Sequence, residues 1–378
     1  MDTSCAPLAL RSNYSLLYGT TPLDRLPARV REAGYRSVAL TDINNLYGAV
    51  AFYKAAIEAG LKPILGSDVR HGGSQAVLLV RNLEGYANLC RILTRLHLDE
   101  QFNLAEAIIC FQDGLHILTP DVRLAGQLRS AIEHGYLRLL RPYPRQSENA
   151  DRNIRESADT LGLEWVATPD VVFLDPEEQA LHRVLTAVRE NTIISKLPES
   201  TSASRRQFLI SRDAFQRAAR DDPTGMRNNM RLAEDCNLDL PMGTPIFPKF
   251  PLPDGITPHR FLRRLCREGL RRRYPTDTWA ARRRLEHELQ LIEELGFTEY
   301  FIFMWDILGI TRERGIATIG RGSGASSIVS YLLGITQVDP IAYRIPFERF
   351  LNRNRADCPD LDVDLCWIKR DEVIESIY

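Results

Sequence analysis

The sequence predicts an α/β protein in two parts: a mostly parallel sheet with helices outside it over the first 240 residues, then a smaller second domain. Two observations predict this. Strand-like and helix-like runs alternate from Ser37 toward Cys236, and repeated β–α alternation is the mark of a parallel sheet joined by helical crossovers. The alternation then stops at six prolines, Pro241, Pro245, Pro248, Pro251, Pro253 and Pro258. Proline fixes φ and removes an N–H donor, so this stretch reads as an extended connection between domains.

The elements follow in order. Ser37–Thr41 is short and β-prone, and Tyr47–Ala59 reads as a helix with Val50, Tyr53 and Ile57 on one face. Pro63–Gly66 and Ala76–Val80 are apolar and strand-like. Glu84–His97 carries Tyr86, Leu89, Leu93 and Leu96 at helical spacing. Leu115–Leu118 reads as a strand, and Arg123–His134 as a helix through Leu124, Leu128 and Ile132. Tyr136–Leu140 is a strand, Glu148–Leu161 a helix and Glu164–Thr168 a strand. Asp175 as N-cap, with Pro176 at the first helical position, opens a helix through Leu181, Leu185 and Val188. Loops are expected at Arg141–Arg145 and Lys196–Arg206. Periodicity does not separate an open doubly wound sheet from a closed barrel.

The composition, 378 residues with 44% hydrophobic, 26% charged and a formal net charge of −1, suits a soluble globular protein with two cores. No apolar run approaches the ~18 residues of a membrane span, and Met1–Cys5 does not open a signal peptide. Seven scattered cysteines without a CxxC pair read as reduced thiols of a cytoplasmic protein. Near-neutral charge argues against non-specific DNA binding by the whole chain but leaves room for a local basic face. Arg260–Arg284 holds ten arginines, with Leu262, Leu265, Cys266 and Leu270 near helical spacing. It reads as an amphipathic helix whose outer face is either solvated or placed against phosphates.

The chemistry concentrates near the C-terminus. In Pro359–Leu365, Asp360, Asp362 and Asp364 alternate with Leu361, Val363 and Leu365. A strand would place the three carboxylates on one face, where they repel unless a cation sits among them. Hard divalent ions such as Mg²⁺ bridge carboxylates to substrate phosphates in this way. An exposed edge strand carrying charges is the alternative. About 40 residues upstream, Gly320–Ser327 is a Gly/Ser loop opening into the apolar run Ile328–Leu333. Its small residues let backbone N–H groups approach an anion, and Arg321 can pair with phosphate. The loop lacks the Gly-Lys-Ser/Thr of a P-loop; read alone, it is equally a turn before a buried helix.

Together these motifs resemble a known family. Gly320-Arg321-Gly322-Ser323, Leu333-Gly334-Ile335-Thr336 with Val338-Asp339-Pro340, Phe347–Asn352, Pro359–Asp364 and Lys369–Ile374 resemble, in order and spacing, the palm of bacterial C-family DNA polymerases. That family comprises DNA polymerase III alpha subunits and their error-prone relatives. Asn13–Leu17, Ala39–Asp42, Tyr47–Tyr53 and Lys62–Gly66 resemble its N-terminal PHP (polymerase and histidinol phosphatase) domain. The resemblance implies a distorted (β/α)7 PHP barrel over residues 1–240, then a partial α+β nucleotidyltransferase-like palm over 241–378. It implies template-directed DNA synthesis by the intact enzyme, with primer–template DNA, deoxynucleoside triphosphates and replisome subunits as partners, and no membrane. Asp360 and Asp362 would ligate Mg²⁺, and Asp364, a catalytic carboxylate on the same face, would support them without binding the metal. Arg321, Gly322 and Ser323 would hold the triphosphate, with Arg349 adding positive charge. Ser326 stands where the family often has glycine.

The same resemblance places metal-ligand positions of the PHP domain at Ala9, Arg11, Asp42-Ile43, Asp68, Gln75, Asp121 and Asp170-Val171-Val172. Alanine, isoleucine and valine offer no lone pair, so no metal is expected there. The carboxylates are expected to pair with arginines, Arg11 among them. The chain is expected to be an N-terminal fragment, inactive alone, because a third metal-ligating carboxylate and the fingers would lie beyond Tyr378. Lys369–Tyr378 reads as an unfinished helix with Val373, Ile374 and Ile377 on one face. Two alternatives remain: a metal-dependent phosphoesterase seated in the barrel, and a non-catalytic scaffold.

Overall fold

In the computed structural model, residues 5–377 are described except 134, 144–147, 244–246, 277–278 and 355–358, and the chain divides between Leu240 and Pro241 into two units. The first unit runs β1 (Ala9–Leu10), α1 (Leu26–Glu32), β2 (Ser37–Ile43), α2 (Ala49–Glu58), β3 (Lys62–His71), β4 (Ser74–Val80), α3 (Leu83–Leu98) and α4 (Leu104–Cys110). It continues with β5 (Leu115–Thr119), α5 (Val122–Leu128), β6 (Leu137–Tyr143), α6 (Glu148–Leu161), β7 (Trp165–Val171), α7 (Gln179–Arg189), α8 (Arg212–Ala218) and α9 (Pro223–Asp235).

The seven strands form one sheet in the order β1-β7-β6-β5-β4-β3-β2. Every pair is parallel except those of β4, which returns antiparallel to both β3 and β5, so alternation fails at one hairpin. The sheet curls until its edges meet. The Leu10 N–H donates to Thr41 Oγ1 at 3.0 Å, and that hydroxyl donates back to the Leu10 carbonyl. The result is a nearly closed barrel. Leu8, Ala39, Ile64, Val77, Leu79, Leu118, Leu140 and Val166 share a buried cluster with Leu232, Ala233 and Cys236 at the end of α9.

Several local expectations change. In α2 the buried side is Ala49, Phe52, Tyr53 and Ala56, whereas Val50 and Ile57 are exposed. In α7 the buried residues are His182, Thr186 and Ala187, and Leu181 and Val188 face outward. The helix expected to reach His134 ends at Leu128, because the Ala131 and Ile132 N–H groups both turn back to the Leu128 carbonyl; His134 lies outside the described residues. Arg141–Tyr143, expected in a loop, completes β6. Its strand continues because the buried Arg141 guanidinium is neutralised by Asp222 and Asp151. Asp175 precedes a 3-10 turn but does not cap it; its carboxylate binds Arg29 at 2.7 and 3.0 Å.

The second unit contains α10 (Pro258–Arg273), α11 (Trp279–Glu294), α12 (Thr298–Glu313), β8 (Thr318–Arg321), α13 (Ile328–Leu333), β9 (Asp362–Leu365) and α14 (Arg370–Ile377). The arginine-rich stretch is thus two helices. Leu262, Leu265, Cys266 and Leu270 are buried as their spacing implies, in one core with Leu289, Ile292, Phe301, Leu332, Phe347 and Phe350. Gly269 lets α10 lie against α13: a Cβ there would stand 2.2 Å from the Leu332 carbonyl oxygen. In α14 Val373 is buried, while Ile374 and Ile377 are exposed.

Candidate active site

β8 and β9 pair antiparallel, with Ile319 opposite Asp364 and Arg321 opposite Asp362. Asp362 and Asp364 are two residues apart on β9 and point the same way, as a strand requires. Both reach one guanidinium: Arg321 Nη1 lies 3.4 Å from Asp362, and Arg321 Nε lies 3.1 Å from Asp364. The hydrogen bond that Arg321 donates to Asp364, then the charges of Asp362, Asp364 and Asp360, raise the Arg321 pKa. Behind the carboxylates, Leu361 is buried and Val363 packs on the core. Asp360 departs from expectation. It precedes the strand and is exposed, so strand alternation joins only Asp362 and Asp364.

The Gly/Ser loop lies directly against this strand. Gly322–Ser326 forms a 3-10 turn that follows β8. Gly322 has φ +72°, and a Cβ there would sit 3.2 Å from Asp362 Oδ2. The positive φ favours glycine, and a side chain there would crowd the carboxylate. A Cβ at Gly324 would meet Leu361 at 2.4 Å and the Asp360 backbone carbonyl at 3.6 Å, so the loop runs along the chain from Asp360 to Asp362. Ser323 is half-buried. The Ser326 hydroxyl donates to the Ser323 carbonyl at 2.5 Å, bracing the turn. Arg349 ends a second 3-10 turn, Phe347–Arg349, which packs beside the first. Its exposed side chain makes no ion pair among the described residues.

One residue missed in the sequence governs this arrangement. Glu288 on α11 is fully buried. Its carboxylate accepts from Arg284 Nε at 2.6 Å, Ser327 Oγ at 2.7 Å and the Val329 N–H at 3.3 Å. Burial raises its pKa against these partners, among which the Ile328 N–H also counts. The Ser330 N–H is taken by Ser327 Oγ. The start of α13 is therefore satisfied from within. Arg284, expected on an outer face, also donates to the carbonyls of Ser326 at 3.2 Å and Ile345 at 3.1 Å, tying both turns to α11. An i, i+4 Arg–Glu pair was the only signal in the sequence, and that spacing usually marks a solvated helix surface. Arg272 reaches the Leu332 carbonyl at 3.5 Å while remaining exposed, and Arg273 lies over the Tyr331 ring.

Carboxylates of this type suit a hard cation. Among the described residues, however, no three His, Cys, Asp or Glu side chains are already gathered tightly enough to hold a metal. Arg321 currently supplies the positive charge between Asp362 and Asp364.

In the barrel unit, some of the positions implied to be metal ligands do converge. Arg11 Nε and Nη2 donate to Asp68 Oδ2 at 3.0 and 2.7 Å, and Arg11 Nη1 donates to Asp170 at 2.5 Å. Gln75 and Arg70 complete the shell of Asp68. Burial opposes charge on Asp68, yet Arg11 and Arg70 outweigh it and hold its pKa below the usual range. Asp42 is separate, bonded to the Ser12 N–H and the Ser12 and Ser15 hydroxyls, with burial raising its pKa. Asp121 caps α5. A buried guanidinium fills the place a cation would take, and Ala9, Ile43 and Val172 bring no donor; these residues do not fit a metal cluster. His182 is no ligand either: Nδ1 bonds the Tyr18 carbonyl and Nε2 accepts from the Ala203 N–H.

Comparison with known proteins agrees with both halves. Residues 7–166 match the PHP domain family, and residues 260–378 match the family described as the bacterial DNA polymerase III alpha NTPase domain. The error-prone DNA polymerase of Symbiobacterium thermophilum is 35% identical over 98% of this chain and 38% of its own length. DNA polymerase III subunit alpha of Bacillus subtilis is 31% identical over 98% of this chain and 35% of its own. That of Pseudomonas fluorescens is 32% identical over 100% and 36%. By these matches the chain carries a PHP family domain and a DNA polymerase III alpha NTPase family domain, and it is similar over nearly its whole length to bacterial C-family DNA polymerases. It spans a little over a third of the length of these relatives.

Proposed function

We propose that the second unit is the triphosphate- and metal-binding part of a polymerase palm, and that the chain serves template-directed DNA synthesis within an intact enzyme. The observation that carries this reading is the apposition of Gly322 to Asp362. Backbone small enough to cradle phosphate touches a carboxylate suited to Mg²⁺, as phosphoryl transfer requires. Asp362, with Asp360 beside it, would hold Mg²⁺, and Asp364 would support them. Arg321 would leave the carboxylates for the triphosphate as the metal enters. Ser323 and Arg349 would contact the phosphates. In the reaction the primer 3′-oxygen loses its proton and bonds the α-phosphorus, while the bond to pyrophosphate breaks. We infer that these residues alone do not polymerise DNA, since two weakly gathered carboxylates leave the 3′-hydroxyl poorly activated. The family's DNA, nucleotide and replisome partners would be met by the intact enzyme.

The test has two readouts. With Mg²⁺, the purified chain should bind a fluorescent dATP analogue, and Asp362→Ala or Arg321→Gln should weaken that binding about tenfold or more. Absence of binding, or binding indifferent to both substitutions, would overturn the site. Primer extension by the same chain should be undetectable; extension that Asp362→Ala abolishes would show that these residues suffice.

A further inference from the structure

We propose that the mouth of the barrel unit binds a small phosphate-bearing anion through arginines rather than through metal. A cavity of about 920 Å³ opens there, lined by four arginines, Arg11, Arg70, Arg189 and Arg206, against one carboxylate, Asp170. A space of this size accommodates a nucleotide-sized ligand.

The carboxylates around it are already bonded. Both oxygens of Asp170 are bonded, one to Arg11 and one to Gln207 at 2.6 Å. Both oxygens of the neighbouring Asp68 are bonded as well, to Gln75 on one side and to Arg11 and Arg70 on the other. The donors are not spent. Arg70 uses Nε and Nη2 on Asp68, which leaves Nη1. Among the described residues, Arg189 uses only Nε, on Glu190. The Arg206 side chain makes no hydrogen bond or ion pair among the described residues. Tyr18 holds two of these cations in place: the guanidinium carbons of Arg70 and Arg189 lie 5.1 and 5.4 Å from its ring centre. What faces the cavity is thus excess positive charge with forked N–H donors on a fixed support, the arrangement that selects phosphate oxygens. Arg11 is consumed in holding the floor, so the recognising residues are Arg70, Arg189 and Arg206. The inference stands on the barrel unit alone and does not depend on the palm reading.

The experiment titrates the full chain, without divalent metal and in low-chloride buffer, with inorganic phosphate, pyrophosphate and dAMP by calorimetry. These arms distinguish a free oxyanion from a nucleotide as the source of the phosphate. The expected result is saturable binding of at least one, weakened by added salt. Arg189→Gln with Arg206→Gln should reduce it at least tenfold while lowering the ligand-free melting temperature only slightly, since Arg206 makes no ion pair among the described residues and Arg189 gives up a surface contact to Glu190 and its place over the Tyr18 ring. Arg321→Gln, in the other unit, should leave it unchanged. No saturable binding by any of the three ligands would overturn the proposal. So would binding that survives the double substitution, or that is lost instead in Arg321→Gln.

Discussion

Replacing Glu288 by alanine tests how the loops of the second unit are held. The carboxylate is fully buried and accepts from Arg284, Ser327 and the Val329 N–H. Its removal strands a backbone donor and a hydroxyl, and leaves a guanidinium beside the core. Breaking a buried pair by removing one partner costs about 3–5 kcal/mol. Arg284 keeps 22% exposure and bonds to two carbonyls, so the lower end, about 3 kcal/mol, is expected. Arg284→Ala should cost more, because it leaves the carboxylate charged, buried and without its cation. The double substitution should cost less than the sum by roughly 1–3 kcal/mol, the usual range for residues in one network. Urea denaturation at neutral pH, followed by the tryptophans of the second unit, measures all three. The pH dependence supplies an independent sign. Burial raises the Glu288 pKa, so its contribution is greatest at acid pH and declines as pH rises through the folded value. Arg284→Ala should steepen that decline. A single-variant cost below about 1 kcal/mol, or strict additivity, would refute the anchoring role.

Three further outcomes are expected. Burial pushes the pKa of His116 down to about 4, despite the favourable charge of Asp235; the unfolded chain then binds more protons between that value and about 6.5. Stability should fall by roughly 3 kcal/mol as pH drops across that window, and His116→Gln should flatten the slope in urea melts. Gly269→Ala must push α10 from α13, since its Cβ would stand 2.2 Å from the Leu332 carbonyl; overpacking of this kind costs about 1–3 kcal/mol, readable as a lower melting temperature. Arg11→Met should destabilise the barrel unit by about 3–5 kcal/mol, because Asp170 loses its cation and Asp68 keeps only Arg70. Denaturant melts that match the unsubstituted chain would show that Arg11 is not the floor's counter-charge.

Local pattern by itself determined the β–α alternation, the end of it at the prolines, the Gly/Ser loop and the alternating carboxylates. Each is a matter of spacing within a few residues, where strand and helix periods leave a direct trace. Tertiary structure decided the rest. Whether the sheet closes depends on Leu10 reaching Thr41, a contact between edge strands that no periodicity encodes. Val50 and Leu181 stay exposed because apolar residues at helical spacing define a face but not what packs on it; α7 turns His182 and Thr186 inward instead. Arg11 meets Asp68 and Asp170 across 57 and 159 residues, and only the folded barrel turns these isolated charges into a neutralised cluster. Arg284 and Glu288 read as a surface pair until α13 packs over them and makes the pair an anchor for two turns. Asp360 shows the limit from the other side: its spacing fits a strand, but pairing with β8 begins at Asp362. Where a strand starts depends on its hydrogen-bonding partner as well as on its own sequence.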